Sequence, residues 1–251
     1  MAPGGHETTL GLLQRLATRL KRARAASGGP VKRTLLALHG VPTSPRLWDP
    51  LARKLERSGS GWRVEAPALK GLLLEQVAAV VPLLTPDTVV VGHDMGGVVA
   101  AMAALEAPPR AVVLTGTALG PWWALIRASA WPVLWRPFYR RHGGRHFVAA
   151  AGASARREAA LAAFPGADPL EMRAIARSMR PPARLAPRLA AVAPVFLLWG
   201  EADRWYPAPV AHALARAAGT RVRLLPGGHF APWEEPEAYA TALEDVLRTL
   251  P

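Results

Sequence analysis

Short apolar runs alternate with stretches of helical composition from about residue 31 to the end of the chain. Most of these runs are apolar throughout rather than alternating in polarity, which is typical of strands buried on both faces. Because strand and helix follow each other repeatedly, the pattern predicts an α/β fold with a mostly parallel open sheet flanked by helices. The predicted strands are Thr34–Leu38, Arg63–Ala66, Thr88–Val91, Ala111–Leu114, Val195–Trp199 and Arg221–Leu225. The predicted helices of this region are Pro50–Arg57, Glu75–Leu84, Val98–Glu106, Pro207–Ala218 and Glu237–Leu250.

One long segment interrupts this alternation, because no strand-like run occurs between Leu119 and about Leu189. Its first part is rich in tryptophan, and arginine outnumbers the acidic residues along it. A helical insertion between two strands of an open sheet lies over the carboxyl ends of the strands, where such sheets bind ligands. The sequence therefore predicts a small helical lid over residues 119–189, between two core segments at 31–118 and 190–251.

Residues 1–30 are predicted to form an amphipathic helix and a loop. Leu10, Leu13, Leu16 and Leu20 recur at helical spacing within Thr9–Ala25, and basic residues occupy the other face. Because the basic residues are interleaved with the apolar ones and follow them, we do not expect a secretory signal. We expect this helix to dock on the core or to contact a second copy in a homodimer. Attachment to a membrane surface is the alternative.

The composition is that of a globular protein, since 51% of the 251 residues are hydrophobic and 20% are charged. The chain has no cysteine, which excludes disulfides and thiolate catalysis. It also has no run of about 18 apolar residues that would span a membrane. The formal net charge of +13 arises mostly from arginine. Without a nucleic-acid-binding motif, this charge predicts a solvated basic surface, with an anionic partner as the alternative. We expect a cytoplasmic protein with no integral membrane contact, no nucleic-acid partner and no cofactor.

The most specific chemical signal is the sequence VVVGHDMGG at residues 89–97. An apolar strand enters a glycine-rich turn and a helix leaves it, which is the pattern of a nucleophile elbow that presents Asp94. The Met95 amide, at the start of the helix, is expected to point into the same space and to bind an anion there. The alternative is an ordinary strand–helix turn in which Asp94 is the N-cap of the helix.

Three further strand ends carry residues that would support a nucleophile. The sequence HGVP at residues 39–42 follows the first strand and offers the Val41 amide as a second backbone donor. GEAD at residues 200–203 supplies Asp203, with Glu201 as a rival acid, and PGGHF at residues 226–230 supplies His229. Because nucleophile, acid and histidine all follow predicted strands, we expect them to meet at one edge of the sheet.

The chain resembles the α/β-hydrolase fold and, within it, the branch with an aspartate nucleophile: epoxide hydrolases and haloalkane or haloacetate dehalogenases. HGVP, GHDMGG at residues 92–97, WGEAD at 199–203 and GHF at 228–230 carry the resemblance, which runs from about residue 31 to the end and is weakest across the predicted lid. These relatives usually have two antiparallel strands where this chain offers the N-terminal helix. The resemblance implies Asp94 as nucleophile, Asp203 as triad acid, His229 as base, and the amides of Val41 and Met95 as the oxyanion hole.

A carboxylate nucleophile restricts the substrate. Attack on an ester would give an anhydride, whereas attack on saturated carbon gives an alkyl ester that His229-activated water can hydrolyse. The leaving group is then an epoxide oxygen or a halide. Epoxide hydrolysis is the preferred hypothesis, because Met95 offers a halide no side-chain N–H. Relatives protonate the epoxide oxygen with lid tyrosines, which makes Tyr139 the candidate acid here and Tyr206 a candidate for the second donor.

Two other enzymatic functions stay open at this point. One is dehalogenation, with a tryptophan N–H holding the halide; the other is a non-hydrolytic cyclase or lyase in which Asp94 or His229 acts as a general base. A non-catalytic binding protein would not need the whole triad. The expected substrate is small and largely apolar, and the candidates for binding it are His39, Trp122, Trp123, Trp131, Trp135, Trp205, Tyr206 and Phe230.

Several polar residues receive structural interpretations. His39 and His93 are predicted to hydrogen-bond the loops around the elbow. His142 and His146 have no carboxylate nearby in the sequence, so no metal site is predicted there. The acidic cluster Glu234, Glu235 and Glu237 is predicted to begin the final helix, where negative charge is favourable for the helix dipole.

Overall fold

The computed structural model describes residues 33–41, 43–117, 119, 169–179 and 184–250. Within these ranges the chain forms a sheet with the strand order β2-β1-β3-β4-β5-β6, in which every neighbouring pair is parallel. The predicted parallel sheet is confirmed, and the ends of its strands differ from the predicted ones by at most two residues. The strands are β1 (Arg33–Leu38), β2 (Trp62–Glu65), β3 (Val89–His93), β4 (Ala111–Thr115), β5 (Val195–Gly200) and β6 (Val222–Leu225).

Helices connect these strands. They are α1 (Asp49–Arg57), α2 (Leu73–Val80), α3 (Met95–Glu106), α4 (Pro169–Ser178), α5 (Leu185–Ala190), α6 (Ala208–Ala217), α7 (Ala231–Glu234) and α8 (Pro236–Thr249). Short 3-10 turns lie at Pro45–Trp48 and Val81–Leu83.

Two helices differ from their predicted bounds for identifiable reasons. The predicted helix Glu75–Leu84 ends as an α-helix at Val80, because Pro82 has no N–H to continue the hydrogen-bond ladder. The predicted helix Val98–Glu106 begins earlier, at Met95, so Gly96 and Gly97 of the elbow belong to its first turn. A Cβ on Gly96 would meet the carbonyl oxygens at the end of β1, so only glycine allows this helix to approach the sheet so closely.

The sheet separates two apolar cores. Successive residues of a strand point to opposite faces, so Leu36 and Leu38 pack on one side while Leu35 and Ala37 pack on the other. The first core includes side chains of α2, α3, α5 and α6, and the second includes those of α1 and α8. Burial on both faces explains why β3 and β4 consist mainly of apolar residues.

The strand order creates a topological switch point between β1 and β3. The chain passes from β1 outward to β2, returns to β3 on the other side of β1, and then continues in the opposite direction. Leu38, the last residue of β1, is in register with Gly92 near the end of β3. The loops that follow these two strands therefore diverge from neighbouring positions, which is where open α/β sheets bind ligands.

The N-terminal segment 1–30 and most of the predicted lid lie outside the described residues. The described parts of segment 119–189 that have regular structure are α4 and α5, and the division of the chain into these segments stays a prediction. No described helix has both the length and the apolar character needed to cross a membrane.

Candidate active site

Asp94 forms the sharp turn between β3 and α3. Its φ of 49° and ψ of −121° fall outside the regions that residues with a Cβ normally occupy. The Asp94 amide donates to the Thr115 carbonyl at 3.1 Å, and the Thr117 hydroxyl donates to the Asp94 carbonyl at 2.6 Å. Residues at the end of β4 therefore hold this strained turn in place.

The carboxylate of Asp94 does not serve the helix that follows it. An N-cap carboxylate accepts hydrogen bonds from amides two or three residues further on, and Asp94 makes no such bond. Asp94 therefore occupies the N-cap position of α3, but its side chain does not cap the helix, and the interpretation of this side chain as an ordinary capping group is wrong. Its side chain is instead buried between the loops that follow β1 and β5.

The two oxygens of the Asp94 carboxylate have different partners. The Val41 amide donates to Oδ2 at 3.1 Å, and the Tyr206 hydroxyl donates to Oδ1 at 3.3 Å. The Met95 amide also acts on the carboxylate by lowering its pKa. Of the two amides predicted for the oxyanion hole, that of Val41 thus bonds to Asp94 itself, and Oδ1 is distinguished by its contact with a phenol.

Two glycines make this arrangement sterically feasible. A Cβ on Gly40 would overlap the Asp94 side chain, so the loop after β1 approaches the elbow as closely as only glycine permits. Gly116, which follows β4, has a φ of +50°, and a Cβ there would lie 3.0 Å from His229 Nδ1. Gly116 was not among the predicted site residues; its position directly after a buried strand was the available signal.

Asp203 and His229 form a buried pair. His229 Nδ1 lies 3.0 Å from Asp203 Oδ2, and both side chains are almost fully buried. The other oxygen of Asp203, Oδ1, accepts the amide hydrogens of Trp205 and Tyr206, each at 2.8 Å. The rival acid Glu201 is exposed. The structure therefore brings His229 to Asp203, the acid that the family resemblance implies, and not to Glu201.

Burial and charge act in opposite directions on the two reactive groups. Burial lowers the pKa of His229, but the charge and hydrogen bond of Asp203 outweigh it, so this pKa lies above its usual value. Burial raises the pKa of Asp94, and the charge of His229 and the Val41 amide oppose that rise only in part. Asp94 also raises the pKa of His229, so the two side chains interact electrostatically.

The aromatic candidates that the structure describes lie around His229. The ring centroids of Tyr206 and Phe230 are 5.5 Å and 5.1 Å from that of His229. Trp205 is half-buried, and its ring centroid lies 6.4 Å from that of Tyr206. The other predicted pocket residues and the predicted lid acid lie outside the described residues; they are Trp122, Trp123, Trp131, Trp135 and Tyr139.

His39 and His93 both bond to the backbone of the surrounding loops. His39 Nε2 accepts the Leu69 amide at 3.1 Å, which leaves the proton on Nδ1, 2.9 Å from the Gly40 carbonyl. His93 Nε2 lies 2.8 Å from the carbonyl of His229 and donates to it. Burial lowers the pKa of both histidines. These contacts agree with the prediction that both histidines hydrogen-bond the loops around the elbow. A contact of His39 with substrate stays a prediction.

Glu234 differs from its prediction, which grouped it with the acidic start of the final helix. Its side chain is buried, and its Oε2 and Oε1 accept the amides of Gly228 at 2.6 Å and Phe230 at 3.1 Å. These are the two neighbours of His229, and the final helix begins only at Pro236. Glu234 therefore stabilises the loop that carries His229. The spacing of five residues after the histidine was its only signal.

We expect Glu234→Gln to lower the free energy of unfolding by about 1–3 kcal/mol, because a glutamine NH₂ would face one of two buried amide donors. Glu56→Gln is the matched control, since that side chain is exposed, and its effect should stay within about 0.5 kcal/mol. Urea denaturation measures both values. Equal effects of the two variants would show that the paired hydrogen bonds of Glu234 contribute nothing special to the loop.

Among the described residues, no group of three or more histidine, aspartate or glutamate side chains is arranged to hold a metal ion. A parallel sheet that brings a strained acidic elbow, a buried Asp–His pair and converging amides to one edge defines the α/β-hydrolase class. A family model described as the Alpha/beta hydrolase family matches residues 35–242, which is most of the chain. The protein belongs to the alpha/beta hydrolase family.

Solved structures share this fold at low sequence identity. One is a thermophilic esterase from Thermogutta terrifontis, with 22% identity, a TM-score of 0.69, and coverage of 86% of this chain and 90% of that chain. MenH from S. aureus has 17% identity, a TM-score of 0.68, and coverage of 88% and 95%. A bromoperoxidase from Bacillus anthracis has 17% identity, a TM-score of 0.63, and coverage of 86% and 92%. No curated protein matches the chain significantly.

Proposed function

We propose that the protein hydrolyses small, largely apolar epoxides to diols through an alkyl ester formed on Asp94. Membership of the alpha/beta hydrolase family supports hydrolysis as the reaction class. The observation that carries the finer proposal is the asymmetry of the Asp94 carboxylate, in which the Val41 amide binds Oδ2. That oxygen already occupies the position an oxyanion would take, so Oδ1 is the oxygen that attacks carbon.

The bond that forms the ester joins Oδ1 to the substrate carbon, whereas the bond that breaks in its hydrolysis joins Oδ1 to Cγ of Asp94. Oδ1 attacks an epoxide carbon, the C–O bond of the ring opens, and an ester of Asp94 results. His229, oriented by Asp203, then removes a proton from water, and the hydroxide attacks Cγ of Asp94. Negative charge develops on Oδ2, where the Val41 and Met95 amides would stabilise it, and one such donor is worth roughly 10²–10³ in rate. The bond from Cγ to Oδ1 breaks, and protonated His229 gives its proton to Oδ1, so the diol leaves with that oxygen.

A carboxylate nucleophile is poorly suited to ester substrates, although the protein of similar fold from Thermogutta terrifontis is an esterase. Its attack on an ester carbonyl would give an anhydride, whereas its attack on saturated carbon gives a more stable ester. Dehalogenation would require N–H donors for the halide. Met95, the residue directly after the nucleophile, offers a halide only its backbone amide. This favours an oxygen leaving group.

We expect His229→Gln to accumulate a covalent adduct on Asp94 when it is incubated with a panel of terminal and internal epoxides. Without the base the ester forms but is not hydrolysed. Intact-mass and peptide mass spectrometry would detect one adduct per chain, on the peptide that contains Asp94. In ¹⁸O-water, turnover by the wild-type protein should place label in the Asp94 carboxylate. His212→Gln, which changes an exposed histidine, is the control and should accumulate no adduct.

Two results would contradict this proposal. If no epoxide of the panel gave an adduct in His229→Gln, the ester mechanism would be excluded for that class of substrate. If the wild-type protein opened epoxides while Asp94 stayed unlabelled, Asp94 would act as a general base and not as a nucleophile. The second result would favour the cyclase or lyase hypothesis.

A further inference from the structure

The peptide group that joins His229 to Phe230 is held at both of its ends by buried side chains. Its N–H donates to Glu234 Oε1 at 3.1 Å, and its carbonyl oxygen accepts from His93 Nε2 at 2.8 Å. The amide of Gly228, which precedes the base, donates to Glu234 Oε2 at 2.6 Å. The loop that carries His229 lies between β6 and α7, so these side-chain hydrogen bonds fix the backbone of the base in place of a helical or strand ladder.

Glu234 reaches this loop because α7 is a single helical turn. The Glu234 amide donates to the Phe230 carbonyl at 2.9 Å, so the chain returns beside the residue that follows the base. Glu234 is 3% exposed, and both of its carboxylate oxygens accept amide hydrogens, which is how an ionised carboxylate bonds. The surroundings of His229 therefore contain a second buried acid in addition to Asp203.

The titratable groups around His229 come from the elbow, from the loop after β5 and from α7. They are Asp94, His93, Asp203, Tyr206 and Glu234. Burial lowers the pKa of His229, and the charges of the three carboxylates raise it, that of Asp203 most strongly. Burial raises the pKa of Glu234, while its two amide partners and the charge of His229 oppose that rise. Glu234 and His229 thus interact electrostatically, in addition to the bonds that Glu234 makes to the backbone on either side of the base.

These contacts concern one step of the reaction, hydrolysis of the Asp94 ester. In that step His229 Nε2 takes a proton from water and later gives it to Oδ1 of the departing diol, so the ring is positively charged in between. We propose that Glu234 is a positioning residue for the base, which fixes the backbone of His229 and stabilises its charged ring during hydrolysis. Glu234 stays ionised throughout and does not act in the attack on carbon. This assignment rests on the proposed ester mechanism.

The test measures formation and hydrolysis of the ester separately, by quenched-flow mass spectrometry with the epoxides that label Asp94 in His229→Gln. In that background, adding Glu234→Gln should leave the rate of adduct formation unchanged, because the base is already absent. With His229 present, the adduct of Glu234→Gln should decay roughly 10- to 100-fold more slowly than that of the wild-type protein, which is part of the roughly 10²–10⁴ that a general base contributes. Glu56→Gln, which changes an exposed glutamate, is the control and should alter neither rate.

A second measurement separates the charge of Glu234 from its hydrogen bonds and needs no substrate. NMR titration follows the ring of His229 in the wild-type protein, in Glu234→Gln and in Glu234→Asp. The glutamine variant should move the titration midpoint to lower pH, because one of the charges that oppose the effect of burial is lost. The aspartate variant keeps that charge, so its midpoint should stay near the wild-type value. Its shorter side chain cannot reach both amides, so its ester should still be hydrolysed more slowly.

Three results would overturn this assignment while the adduct itself still supported the ester mechanism. Slower adduct formation when Glu234→Gln is added to His229→Gln would reveal a general defect of the site. Unchanged decay of the Glu234→Gln adduct would show that the base does not need this residue. Equal shifts of the titration midpoint in Glu234→Gln and Glu234→Asp would show that the charge has no effect on His229. Absence of any epoxide adduct in His229→Gln would instead overturn the mechanism, and with it the step in which Glu234 is placed.

Discussion

Asp94→Ala is expected to lower kcat/KM for epoxide hydrolysis by at least about 10⁴, the scale on which loss of a nucleophile acts in a triad. In the proposed mechanism alanine removes the carboxylate that forms the ester, and His229 alone would have to direct water at an unactivated epoxide. Steady-state turnover of the epoxides that label the wild-type protein measures the loss. Circular dichroism and thermal unfolding would check that the variant keeps its fold.

Asp87→Ala is the matched control for this experiment. Asp87 is an exposed aspartate that precedes β3, at the opposite end of the same strand from Asp94. Its removal should leave turnover within about twofold of the wild-type value, as is usual for exposed positions away from a site. If Asp94→Ala itself kept more than a tenth of the wild-type activity, the covalent mechanism would be excluded.

The sheet and the strand ends of the site could be predicted because their signals are local. A strand buried on both faces is apolar along its whole length, and a glycine-rich sequence after it indicates a tight turn. The parallel order of strands then brings Val41, Asp94, Asp203 and His229 to one edge. This is why the structure places the Val41 amide on Asp94 and Asp203 on His229 without any local sequence link between them.

The contacts of Tyr206 and Glu234 could not be predicted in the same way. Tyr206 reaches Asp94 across a separation of 112 residues, because the loop after β5 folds around the Asp203 carboxylate. Nothing in the residues next to it specifies that direction. Glu234 looked like a helix-start residue because negative charge is common there. Its inward orientation depends on the two amides beside His229, which become donors only when that loop folds.

Asp203→Asn should separate formation of the Asp94 ester from its hydrolysis, because the asparagine would impose the wrong tautomer on His229. The amides of Trp205 and Tyr206 both donate to Asp203 Oδ1, so an asparagine would keep its oxygen there and turn its NH₂ toward His229. Nδ1 would then have to accept, which places the proton on Nε2 and removes the base that water needs. We expect hydrolysis of the ester to fall by about 10⁴ while the ester still forms at a rate within about tenfold of wild type.

The pH dependence gives this variant a second signature. In the wild-type protein the charge of Asp203 raises the pKa of His229, so activity should fall as pH drops through a value above the usual one for histidine. The substituted asparagine carries no charge, so burial then dominates the pKa of His229, and the acid limb of the residual hydrolysis should move to lower pH. Glu201→Gln, which changes the exposed rival acid, should alter neither the rate nor this limb. If Glu201→Gln and Asp203→Asn exchanged these roles, Glu201 would be the acid that orients His229.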